Sequence, residues 1–185
     1  MGESEGLPQS PGQPPARLKA LIRALDAFAE WTGWLVAWLI VPLTGAMVYE
    51  VVARYFFRAP TVWAHDVSYM LYGALFMLGG AYTLRQQGHI RTDFLYNSFG
   101  VRGQAFVDAV AYLFFFFPAF SIFLWFGWES FQESWRLDER AITSPWTPAL
   151  YPFRGVLPLA AALLLIQGVS EALKSLYALL TGRWP

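Results

Sequence analysis

The chain has 185 residues, 56% of them apolar, 18% aromatic and only 14% charged, and its 13 basic and 13 acidic residues cancel to a formal net charge of zero. A soluble domain spends about a quarter of its residues on charge to cover its surface, so much of this surface faces lipid, and the balanced charge argues against nucleic acid as a partner and against a polybasic membrane-surface protein. The absence of cysteine excludes a disulfide framework, thiol catalysis and cysteine-based metal or iron–sulfur sites.

Residues Met1 to Pro15 hold four Pro, three Gly and two Ser and no apolar run, which predicts a disordered N-terminal segment, 1–15. They also lack a basic stretch followed by an apolar one, so no cleavable signal peptide is expected. From Ala16 to Glu30, Leu18, Leu21, Ile22, Leu25 and Phe28 recur at helical spacing, with Arg17, Lys19, Arg23 and Asp26 on other faces. That pattern predicts an N-terminal amphipathic interfacial helix.

A membrane span needs roughly 20 mostly apolar residues. The runs Trp31–Tyr49, Val67–Leu84, Ala109–Trp128 and Gly155–Ser170, the last continuing through Ser175–Leu180, meet that need. They predict an all-α integral membrane domain over 16–185 with four transmembrane helices, at about 28–53, 64–86, 103–131 and 154–181. The fourth is interrupted on one face by Gln167, Glu171 and Lys174, which must find water, headgroups or partners. Pro42 and Pro118 fall inside the first and third spans, where each removes a backbone hydrogen bond and bends the helix. Most tryptophans stand near span ends, as indole rings that prefer the headgroup region do.

Counting Lys and Arg on alternate sides gives Arg17, Lys19, Arg23, Arg85, Arg91, Arg102, Lys174 and Arg183 against Arg54, Arg58, Arg136, Arg140 and Arg154, eight to five. The excess places both termini on the cytoplasmic side. No repeat relates the two halves, so the inverted-repeat construction of self-sufficient secondary transporters is not visible.

Candidate chemistry is sparse. His65 and His89, the two histidines, flank the second span; at about 1.5 Å of rise per residue they stand near opposite membrane faces and cannot bracket one haem iron. No histidine pair at i and i+4, Gly-rich phosphate loop or Gly-x-Ser-x-Gly elbow occurs. The sequence therefore implies no enzyme, no cofactor and no metal site. Glu50 and Arg54 are spaced to pair along one helix face. Asp66 opens the second span, where a carboxylate suits free backbone N–H groups and the helix dipole, so capping is its expected role. Arg54, Arg58, His65 and Asp66 also crowd one short turn and offer a polar docking surface. Gly73, Gly79 and Gly80, with Ala74 and Ala81, let another helix approach the second span closely. Asp93 to Phe99 is too short to cross and is expected to lie along the inner interface.

The stretch from Arg54 to Tyr96 resembles the signature region of the small membrane subunit of TRAP transporters, the DctQ-like family. It joins Arg54 near the end of the first span, a Pro-x-x-Trp turn ending at Trp63, Asp66 opening a Gly-rich span, then Arg85 and a Gly-His-Ile-x-x-Asp segment at Gly88, His89, Ile90 and Asp93. The run Ile142 to Glu171 resembles the subgroup associated with 2-oxo acids and related monocarboxylates. One departure is that His65 and Asp66 stand where the family often has two adjacent acids, so Asp66 alone can inherit that role. The resemblance implies a sodium-coupled tripartite importer in the bacterial inner membrane: a periplasmic solute-binding protein, a large membrane subunit with the substrate and ion sites, and this small subunit as scaffold, binding no substrate alone. Its interface candidates are Arg54, Arg58, Trp63, Asp66, Gly73, Gly79, Gly80, Arg85, His89, Asp93, Arg136 and Arg140. The competing reading is a membrane-anchor subunit of a redox complex, which shares size and helix count but needs histidines facing one another.

Overall fold

The computed structural model describes residues 15–86, 99–142 and 144–184. The helices are α1 (Ala16–Ala37), α2 (Ile40–Tyr55), α3 (Ala64–Arg85), α4 (Val101–Val110), a π-helical turn at Ala111–Phe116, α5 (Phe117–Arg136) and α6 (Tyr151–Thr181). End to end they make four rods long and apolar enough to cross a membrane: Ala16–Tyr55, Ala64–Arg85, Val101–Arg136 and Tyr151–Thr181. Among the described residues no strand forms; Arg140 and Ala149 make an antiparallel bridge within one loop.

The amphipathic segment at 16–30 is not set apart from the first span: α1 runs without a boundary to Ala37, and its Ile22, Ala29, Thr32 and Val36 are buried. The break comes later and has a proline behind it. Pro42 has no N–H to give the carbonyl of Trp38, and the chain around that carbonyl tightens into i to i+3 bonds, Leu39 N to Val36 O at 3.0 Å and Val41 N to Trp38 O at 3.1 Å. Pro118 likewise withholds a donor from Phe114, and there the helix widens into the π turn just before it. Pro158, inside α6, is buried against Gly127 of α5, where a side-chain carbon on that glycine would stand 3.2 Å from the proline ring.

α6 is the centre of the array. It packs against α5, α3, α4 and α1, while α2 leans on α3. The first, second and fourth spans thus meet one another, α1 touching both α3 and α6, while the third is attached through α6, which leaves the array open on that side. Burial follows that order: 39% of the most apolar window of the fourth span is buried, and none of the third's. Small residues set the close approaches. Phe153 of α6 fills the space beside Gly73, 2.8 Å from where its Cβ would be; Leu164 lies 3.6 Å from that point on Gly80; and Phe116 of the π turn fills the space beside Gly168. Gly79 has nothing within 4 Å and opens on a groove of about 620 Å³ between α3 and α5, floored by Ala160, Ala161 and Leu164.

Candidate functional site

Polar side chains gather at the two ends of the array. At the end holding the 56–63 turn, Glu50 works as a bracket. Its Oε1 accepts from Arg54 Nε at 2.9 Å, one helical turn on, as the spacing predicts. Its Oε2 accepts from the Thr61 backbone N–H at 3.0 Å and from the Thr61 hydroxyl. The turn is thereby tied back to α2, and Trp63 closes it by stacking on Tyr49 with ring centroids 5.6 Å apart. Arg58, at the tip, is exposed and sits at φ 51°, a left-handed conformation costly for a residue with a side chain.

Asp66 does not cap α3 through its side chain. Its carboxylate accepts from the Ser144 hydroxyl, 78 residues on, and the hydroxyl of Thr61 instead receives the Ala64 N–H, at 3.4 Å. Asp66 is drawn away because the loop after α5 folds over the start of α3. That loop is itself closed by Leu150 N to Glu139 O at 2.8 Å and by Arg154 Nη2 to Glu139 Oε1 at 2.6 Å, with Arg154 also donating to Ser130 at 2.8 Å. Arg140 pairs with Asp138 at 3.1 Å on its exposed side. Arg136 is exposed and has no ion pair or hydrogen bond to another described side chain. The 56–63 turn and the loop after α5 are therefore one polar platform held through Asp66–Ser144, with Arg58, Arg136 and Arg140 on its surface.

At the opposite end, Lys174 of α6 lies between two carboxylates, 2.8 Å from Asp26 Oδ2 and 2.7 Å from Glu171 Oε1. Gln167 donates to both, at 3.1 Å each, and Ser170 donates to Asp26 at 2.7 Å. Gln167 and Ser170 are wholly buried. The polar face of the fourth span thus finds its partner inside the chain, on α1. Arg85, closing α3, stands 3.0 Å from Glu30 of α1. His89 and Asp93, with the short segment expected at the inner interface up to residue 98, lie outside the described residues. Sequence reasoning missed Thr61, Ser144, Glu139 and Asp26 as structural partners; Glu50–Thr61 alone had a local signal, a hydroxyl just ahead of a helix start.

Among the described residues no three His, Asp or Glu side chains converge on a metal-sized site. His65 is exposed. The fold and its two polar ends define a multi-pass α-helical membrane protein, most of whose described ionic groups tie its own helices and loops together. Comparison narrows that class. Residues 43–177 match the family model described as tripartite ATP-independent periplasmic transporters, DctQ component, and the chain belongs to that family. It is 27% identical over 138 residues to the sialic acid TRAP transporter permease protein SiaT of Haemophilus influenzae (strain 86-028NP). The match covers 74% of this chain but 22% of that relative, so the chain spans about a fifth of the relative's length. No solved structure matches it.

Proposed function

We propose that this chain is the small scaffold subunit of a tripartite, sodium-coupled importer of an organic acid in the bacterial inner membrane, with both termini cytoplasmic. The observation that carries the reading is the match of residues 43–177 to the DctQ component. The matching segment is 22% of the relative, which supports a second, larger part of the system that holds substrate and ion. The open array of helices suits a brace against which that larger part moves: its apolar sides are exposed, and few charges enter the spans to form an ion path. A 2-oxo acid or related monocarboxylate is the proposed substrate class, on the resemblance of Ile142 to Glu171 to that subgroup; the relative's own name specifies sialic acid. A redox-anchor role has no support in the family match.

The polar platform is the proposed seat of the periplasmic binding protein, with Arg58 at the tip of the 56–63 turn as a cation available to it, since Arg54 and Arg140 are already paired within the chain. Reconstitution tests both levels. Proteoliposomes holding this chain, the large subunit and the binding protein take up a 2-oxo acid under a sodium gradient, and omitting any one abolishes uptake. Uptake by this chain alone, or undiminished uptake without it, overturns the reading. Arg58→Glu in the full system raises the binding-protein concentration needed for half-maximal uptake by about tenfold, one exposed charge reversal at an interface.

A further inference from the structure

Past Trp128 the third span changes character: the preceding 19 residues, 109–127, carry no charge, whereas Glu129, Glu133 and Arg136 follow within eight positions. The last turns of α5 therefore cross the border between hydrocarbon and water. On one face of those turns Trp128, Phe131 and Trp135 form a ladder, ring centroids 5.7 and 6.1 Å apart, which Tyr151 of α6 extends at 4.8 Å from Trp135. Trp128, Phe131, Gln132, Trp135 and Arg136 line a groove of about 500 Å³. Its rings are apolar walls open to lipid, and its head holds two side chains, Gln132 and Arg136, that are exposed and make no hydrogen bond to another described side chain. Arg54, Arg85, Arg140 and Arg154, by contrast, each meet a carboxylate within the chain.

We propose that this groove is a phospholipid site, with the phosphodiester on Arg136 and Gln132 and the upper acyl chain along the Trp128–Phe131–Trp135 ladder. Charge complementarity selects the occupant. A guanidinium at headgroup depth beside an amide donor matches a phosphate's oxygens in pairs, and rings flanking it cover the first methylenes below. Glu133, next to Arg136 on the helix, opposes a second negative charge, so the site tolerates a zwitterionic headgroup at least as well as an anionic one.

Native mass spectrometry of the detergent-solubilised full chain, in its complex where one copurifies, tests this with added phosphatidylethanolamine, phosphatidylglycerol and, lacking phosphate, diacylglycerol. Wild type retains both phospholipids and not diacylglycerol; Arg136→Glu loses about tenfold in apparent affinity, the scale of one charge-assisted contact; Arg136→Lys keeps most of it. The melting temperature of the lipid-free variants stays at the wild-type value, since Arg136 holds nothing in the chain. Equal retention of diacylglycerol, or Arg136→Glu retaining phospholipid as wild type does, overturns the site. So does a variant that keeps its lipid but loses the binding protein, which would assign Arg136 to a protein carboxylate.

Discussion

Lys174 lies with two carboxylates and a wholly buried amide in a cluster that joins the last span to the first, with Asp26, Glu171 and Lys174 all less than a quarter exposed. Removing its charge leaves Asp26 and Glu171 facing one another without a cation in a poorly solvated place. Lys174→Met is therefore expected to destabilise the protein by about 2–4 kcal/mol, read as a lower unfolding midpoint in detergent, with Lys174→Arg close to wild type. A midpoint unchanged by Lys174→Met would mean that the cluster contributes nothing to helix association. The sequence marked Gln167, Glu171 and Lys174 as a polar face in need of a partner. It did not mark Asp26, because pairing across 148 residues depends on how two helices turn about their axes, and no spacing along the chain encodes that. Asp66 shows the same limit from the other side: the helix start was legible, but a hydroxyl 78 residues away takes the carboxylate from its local role.

At the level of elements, proline positions were readable and their consequences only half so. Pro42 and Pro118 each leave a carbonyl without its helical donor, yet the chain answers the first by tightening and the second by widening. What differs is the neighbourhood: the π turn places Phe116 against Gly168 of α6, a contact a regular helix would aim elsewhere, since the turn shifts the register of every residue before it. Pro42→Ala restores the missing donor and is expected to straighten the first span. Spin labels at exposed positions 23 and 52 then move apart toward the straight-rod value of about 44 Å. The four spans themselves were plain from charge-free runs, as was their helical nature. The continuity of α1 through the expected interfacial segment was not, because an amphipathic stripe reads alike whether it meets headgroups or another helix.

Seen whole, the molecule is an open array of helices gathered on α6. The first span packs on the second and, through α1, on α6, whereas the principal neighbour of the third is α6. A chain stopped after Arg136 is expected to keep α1 and α2 against α3 and to leave the third span unattached. Energy transfer between dyes on α3 and α5 would then report a broad distance distribution, against a narrow one in the full chain; a narrow distribution in both would place the join elsewhere. That the four spans could be read from charge-free runs and their order could not is a matter of geometry, since apolar runs announce crossing and say little about which helix lies beside which. The order has a consequence for how the protein is made. The ribosome makes the three earlier spans ahead of the helix that gathers them, so Asp26 is in the chain well before its lysine. The third span, the most aromatic of the four, therefore gains its principal protein neighbour only when α6 comes to lie beside it.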